Sequence, residues 1–325
     1  MKKLLLALAF ATTLVDIESA TAEVYPSRPI TMVAPFPAGA AVDTIGRIVA
    51  ERMRRSLGQP VIIENVAGAN GTIGVGRVAR AAPDGYTIAI GMRDTLVLNG
   101  AMFSLQYNVL RDFEPVALIS NSRGALFVVK KAMPSNDLKG FIAWLKANPD
   151  KALLGHPGVG SSPHLNGIHF QNITGTRFQF VPYRGMGPAM QDLLAGQIDM
   201  MFVGGDTSLP QVRAGSIKTY AVMAKHRLAA VPEVPTVDEA GLPGFYQSNW
   251  YALFAPKGTP KDVIGRLNAA VVDALADPAV QQRFDTIEQE IPPRDQQTPE
   301  ALGALQQADI EKWWPIIKAA NIKSE

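Results

Sequence analysis

Two loops carry residue types suited to holding an anion. The first, Pro35-Phe36-Pro37-Ala38-Gly39-Ala40-Ala41-Val42-Asp43, leads from an apolar stretch into a helical pattern. The second, Gly158-Val159-Gly160-Ser161-Ser162-Pro163-His164, does the same in the middle of the chain. In each, glycine lets the backbone approach a ligand closely. The helix that follows presents unpaired N–H groups and the positive end of its dipole. Ser161 and Ser162 add hydroxyl donors, and Pro163 suits a first helical turn, where its missing N–H costs nothing. Two such ends from different domains are what a dicarboxylate needs. Taken singly, each loop also reads as an ordinary capped strand-to-helix turn.

Other constellations are weaker. Ser161 and His164 suggest a nucleophile and a base, but there is no Gly-x-Ser-x-Gly elbow and no acid assignable to orient the imidazole. Gly71, Gly74 and Gly76 lack the Lys-Ser/Thr ending of a phosphate loop and the dinucleotide spacing, and fit close packing of a helix on a sheet. The histidines are His156, His164, His169 and His226, and the step from His164 to His169 does not align on one helical face. No metal, no cofactor and no enzymatic activity is expected. Trp313 and Trp314 suggest packing of a C-terminal helix onto the first domain, or an apolar patch for a membrane partner.

The elements that position the loops follow from periodicity. Ile30 to Ala34 is a short apolar run ended by Pro35, a strand signal. Val42, Ile45, Ile48, Val49, Met53 and Leu57 recur mostly at spacings of three and four, one apolar face of a helix that Gly58 and Pro60 stop. Strands follow at Val61–Glu64 and Tyr86–Gly91, with a small-residue helix over 71–82 between them and a helix from Asp94. The rhythm restarts with strands at Leu126–Val129, Ala152–Gly155, Phe178–Pro182, 198–203 and 217–223, separated by helices over 137–147, from Ser161, over 185–195 and over 206–214. A late strand, Tyr251–Ala255, precedes helices over 261–276 and 298–318. Strands alternating with helices predict an α/β protein with parallel sheets covered on both faces. Two such units without a long linker predict two domains, with the chain crossing near 122–126 and 246–250.

The chain begins with Lys2 and Lys3, a 12-residue apolar stretch from Leu4 to Val15, and Ala20-Thr21-Ala22. That is a signal-peptide pattern, far shorter than the roughly 20 residues of a membrane span. We expect residues 1–22 to be removed and the mature protein to be exported and soluble. There is no Cys, so neither a lipid anchor nor a disulfide is expected. The chain holds 31 basic and 29 acidic residues, a balance of +2 that does not point to nucleic acid.

Many ordered motifs support a family resemblance. Tyr25-Pro26-Ser27-Arg28-Pro29-Ile30, Pro35-Phe36-Pro37-Ala38-Gly39, Leu57-Gly58-Gln59-Pro60 and Ala82-Pro83-Asp84-Gly85-Tyr86 come first. Asp112-Phe113-Glu114-Pro115-Val116, Val181-Pro182-Tyr183-Arg184-Gly185, Glu239-Ala240-Gly241 and Ala255-Pro256-Lys257-Gly258-Thr259-Pro260 follow in the same order. The chain resembles the Bug family, the substrate-binding receptors of tripartite tricarboxylate transporters. The resemblance implies a type II periplasmic-binding-protein fold, two α/β domains with a hinge and an interdomain cleft. Domain I would span 23–124 plus 249–325, and domain II 125–248. The implied partners are a small carboxylate and the membrane permease subunits, with the receptor in the periplasm and monomeric. An alternative is a ligand-presenting partner of an extracytoplasmic sensor. The ligand range runs from di- and tricarboxylates to aromatic and amino-acid-like acids.

In that family the two loops hold ligand carboxylates. Carried onto this chain, the candidate ligand-binding residues are Phe36, Pro37, Ala38, Gly39, Ala40 and Asp43 in the first loop. Gly158, Gly160, Ser161, Ser162 and His164 form the second, with Tyr183 beyond it. The chain departs from the family pattern at Ala40, where Gly is usual, and at Met92-Arg93-Asp94-Thr95, where small hydroxyl or glycine residues are usual. Arg93 is a candidate fork for a carboxylate and Asp94 an acceptor for an amine or hydroxyl, with Thr95 beside them. A surface Arg93–Asp94 pair, or a helix-capping Asp94, is the other reading. Asp206 reads as a helix cap or as an acceptor for a ligand's positive group.

Overall fold

The computed structural model describes residues 25–247, 249–319 and 322, with Asp206 described through its backbone alone. The expected signal segment, residues 1–22, lies outside the described residues. Elements are numbered in chain order. Strands β1 (Ile30–Ala34), β2 (Val61–Asn65), β3 (Thr87–Met92) and β4 (Phe113–Ser122) begin a first sheet. The chain then builds a second sheet from β5 (Ala125–Lys130), β6 (Leu153–His156), β7 (Gln179–Pro182), β8 (Met200–Gly204) and β9 (Ile217–Val222). It returns to the first through β10 (Trp250–Pro256) and β11 (Gln289–Glu290). The strand orders are β11-β4-β10-β3-β1-β2 and β7-β6-β8-β5-β9.

The connecting helices are α1 (Ala41–Leu57), α2 (Thr72–Ala79), α3 (Asn99–Met102), α4 (Leu138–Ala147), α5 (Ser162–Thr174), α6 (Met186–Leu194) and α7 (Gly205–Arg213). After β10 come α8 (Lys261–Ala276), α9 (Pro278–Thr286) and α10 (Pro299–Ala319). Among the described residues no helix is long and apolar enough to cross a membrane. Helix α1 shows how the sequence sets a boundary. Its apolar stripe packs Ile45, Ile48, Val49 and Met53 into the core, and Gly58 takes φ 71 so that its N–H closes on Arg54 O. In the second sheet Phe127 is the centre of an aromatic cluster, with Phe202, Phe170 and Phe141 ring centroids 4.9, 5.4 and 5.6 Å away. Trp313 and Trp314 pack α10 onto the first sheet's layer, Trp314 donating to Val97 O at 2.9 Å.

Three expectations need correction. The sheets are mixed rather than parallel: β10 runs antiparallel to β3 and β4, and β5 antiparallel to β8 and β9. Each is a strand that arrives from the other sheet. It starts at the edge where the parallel strands end, so it runs the opposite way. Strand β4 was not anticipated, because Glu114 and Pro115 interrupt its apolar run. A register shift between Leu253 and Phe254 on β10 accommodates Pro115. The helix expected from Asp94 opens as one π-helical turn, Asp94–Leu98, before α3.

The two crossings lie side by side. Ser122 N–H donates to Asn249 O at 2.7 Å, Ala125 N–H to Gln247 O at 3.2 Å, and Asn249 N–H to Ser122 Oγ at 2.8 Å. The parallel strands on each side aim their carboxyl ends at this seam, where open α/β sheets place ligands.

Candidate ligand-binding site

A cavity of about 580 Å³ lies between the two sheets above the crossings, within the range of small-molecule sites. Its walls include Phe36, Pro37, Gly39 and Ala40 from the first loop and Ser161 and Ser162 from the second, with Asp94 between them.

The first loop is built to leave a helix end open. Gly39 takes φ 84, while Ala40 is the cap residue at φ −66 and ψ 155, an extended conformation that any residue adopts. Alanine in place of glycine therefore costs no backbone strain. No side chain of the cap residue covers the N-terminus of α1. Asp43 does not face the cavity. Its carboxylate accepts from Gly39 N–H (2.9 Å), from Arg47 (3.1 Å to Oδ2) and from Asn65 Nδ2 (2.9 Å), and Asn65 also donates to Phe36 O (3.0 Å). Burial alone would push this carboxyl up, and the hydrogen bonds from Arg47, Gly39 and Asn65 outweigh it and hold the group below the ordinary range. Asp43 is a brace, not a wall, and Ala38 likewise stands off the cavity lining.

The second loop is closed. Ser161 Oγ turns back to donate to Gly158 O (2.7 Å), and His164 Nδ1 accepts from Gly160 N–H (3.1 Å). That bond leaves Nδ1 unprotonated, and burial next to His156 pushes the imidazole down to about 4. Ser161 Oγ and His164 Nδ1 thus each bond to the backbone instead of to one another. Gly160 has φ 77, and a side chain there would meet Met102 of α3, so glycine allows the loop to touch the first domain's layer. Gly158 and Gly160 shape the turn, and neither they nor His164 line the cavity.

The N-terminus of α5 is filled by the protein itself. Ser162 Oγ donates to Asp94 Oδ1 at 2.5 Å and Ser162 N–H to Asp94 Oδ2 at 3.3 Å. Arg93 Nη2 donates to Ser162 Oγ at 3.2 Å. Arg93 and Asp94 are 7% and 5% exposed, so the surface-pair reading fails. Asp94 does cap a helix, but one that belongs to the other sheet's layer. Arg93 lies behind Ser162 with its guanidinium 5.2 Å from the Trp313 ring centroid, off the cavity. Thr95 is spent on the turn, donating to Met92 O at 3.0 Å and accepting from Met92 N–H at 3.1 Å. Tyr183 hydrogen-bonds Asp192 at 2.7 Å and supports α6 instead of lining the cavity. Helix α7 is capped by Gly204, which rules out Asp206 as its cap residue, and the Asp206 side chain lies outside the described residues.

Sequence reasoning missed much of the wall. Gly185, Met186 and Gly187 bring the N-terminus of α6 to the cavity, and Gly204, Gly205 and Thr207 bring that of α7. Neither helix has a side-chain cap from its cap residue. The signal was there, since glycine again sits at a strand-to-helix turn. Gln247, Asn249 and Tyr251 from the return crossing and Glu288 from the α9–β11 corner complete the floor. The helix ends of α1 and α6, neither with a side-chain cap, offer N–H donors to an anion.

Residues 45–322 match the family model described as the tripartite tricarboxylate transporter family receptor. BugT of Bordetella pertussis is 34% identical over 305 residues, which cover 93% of this chain and 92% of BugT. The solved structure of MatC from Rhodopseudomonas palustris, with bound malate, is 37% identical with TM-score 0.82, covering 90% of this chain and 100% of that one. An R. palustris protein with adipate is 30% identical with TM-score 0.83, covering 92% and 99%. The chain belongs to the TctC family of tripartite tricarboxylate transporter receptors.

Proposed function

We propose that this chain is a periplasmic receptor that closes on a small carboxylate and delivers it unchanged to the permease subunits of a tripartite tricarboxylate-type transporter. The carrying observation is the convergence of two helix N-termini without side-chain caps, those of α1 and α6, from opposite sides of one cavity of about 580 Å³ between two sheets. Helix ends of this kind bind anions through N–H groups and dipole together. Malate and adipate, bound in the two solved relatives, are carboxylates of a size that fits such a cavity.

In this reading residues 1–22 are a signal peptide, 23–124 with 249–325 form domain I, and 125–248 form domain II. The two crossings act as the hinge, and the receptor works as a monomer without cofactor or catalysis. Phe36, Pro37, Gly39 and Ala40 hold the ligand from one side, and the end of α6 from the other, with the start of α7 beside it. A thermal-shift screen of residues 23–325 against a panel of small carboxylates tests this. A ligand at 100 times its Kd adds about 2.7 kcal/mol of stability. A panel of linear, branched and aromatic carboxylates that left the folded protein unshifted would contradict the proposal.

A further inference from the structure

Among the described side chains, the charged ones in the cavity lining are Asp94, Arg184 and Glu288. Arg184 is exposed, and Asp94 is engaged with Ser162. Glu288 is different. It is 8% exposed, and its Oε2 is enclosed without a hydrogen-bond partner among the described residues. Its backbone adopts φ 54, which few non-glycine residues tolerate, and its carbonyl accepts from Arg123 N–H in the outgoing crossing at 3.0 Å. That arrangement fixes the side chain at the hinge. Gln247 lines the same cavity from the return crossing, and its Oε1 is likewise enclosed without a partner. Both atoms are acceptors, and a buried acceptor left unpaired is costly unless something donates to it.

We infer that Glu288, with Gln247 in the same wall, forms a subsite that reads hydrogen-bond donors and selects carboxylates carrying an ammonium, amide or hydroxyl group. The inference rests on the receptor reading and narrows its ligand class. Two of the helix ends near the cavity already have a protein carboxylate beside them. Asp94 caps α5, and Glu288 lies against the first residue of α7, its Cγ 3.2 Å from where a Gly205 side chain would begin. The ends of α1 and α6 remain for the ligand's anionic group. A second ligand carboxylate near the hinge would face Glu288 instead of N–H donors. Burial pushes the Glu288 carboxyl above its ordinary range, and a donor from the ligand restores the hydrogen bonding that desolvation removes.

Calorimetry on the mature protein tests this with matched ligands: succinate against malate and aspartate, adipate against 2-aminoadipate, and benzoate against its amino derivatives. The wild type should bind the donor-bearing member of at least one pair about tenfold or more tightly. Glu288→Gln should lower the affinity for the ammonium-bearing acid more than that for the unsubstituted one, so that most of the preference is lost. Gln247→Met, which removes an atom with no partner among the described residues, gives a second reading if Glu288→Gln does not fold. Equal binding within every pair, or a preference that survives both substitutions, overturns the subsite and leaves the receptor reading intact. Absence of binding by all of these acids in the folded protein overturns the receptor reading, and the subsite with it.

Discussion

The two glycine-bearing loops share a sequence signature yet present opposite surfaces to the cavity. The loop before α1 turns its one carboxylate, Asp43, inward and leaves the helix end open. The loop before α5 has its helix end sealed by Asp94, which stands 68 residues earlier in the chain. The difference is one of bookkeeping for backbone N–H groups. An acid within the loop can brace the turn, whereas an acid brought from the facing layer takes the place that a ligand anion would occupy. A helix N-terminus is therefore an anion site only when no protein carboxylate already fills it.

The comparison is broken most severely at the inward acid. Asp43→Ala removes a buried carboxylate, leaves Gly39 N–H without its acceptor and leaves Asn65 Nδ2 with Phe36 O alone. Unfolding in denaturant should show a loss of about 2–4 kcal/mol, with weaker carboxylate binding because the open loop loses its brace. Asp94→Ala should cost less, about 1–3 kcal/mol, since Ser162 and its N–H then face the cavity and regain partners from solvent. It should also open the α5 end to a ligand, so that dicarboxylates gain on monocarboxylates. A loss of all carboxylate binding in folded Asp94→Ala would show instead that Asp94 itself holds the ligand.

Acid should affect the sealed loop through His164. Its folded value, about 4, lies below the unfolded histidine value of about 6.5, so the unfolded chain binds the proton first. Stability should therefore fall as the pH drops from about 6.5 toward 4, by about 1 kcal/mol at pH 5 after allowing for partial exposure. Unfolding midpoints of wild type and His164→Asn at pH 7 and pH 5 measure it, and the variant should lose less. The smallest effect belongs to Arg93→Lys. Arg93 lies over the Trp313 ring behind Ser162, so the change should cost about 0.5 kcal/mol of stability and leave carboxylate affinity within about twofold. A large affinity loss would place Arg93 in the site after all.

The frame of the molecule was legible because its signals are local. Val42 to Leu57 repeat with helical period, and Gly58 stops them within the same stretch. Strand β4 was hidden because Pro115 reads as a breaker, and only the register against β10, with Val116 as the extra residue beside Pro115, shows how it is tolerated. The cavity lining was half legible. The first loop follows from a glycine before a helix, and the same rule would have found Gly185 and Gly204. The contacts of Asp94 with Ser162 and of Glu288 with the outgoing crossing were not legible. They join residues 68 and 165 apart, and nothing in either local pattern names the partner. Asp43 was misread for a related reason. An acid at a helix start looks the same in sequence whether it faces a ligand or Asn65.

A crystal structure with the most stabilising carboxylate tests the central claim most directly. The account predicts ligand carboxylate oxygens within about 3.2 Å of N–H groups at the starts of α1 and α6, with Asp94 still bound to Ser162. A carboxylate that displaces Asp94 from α5, or that sits outside the cavity between the sheets, would contradict it.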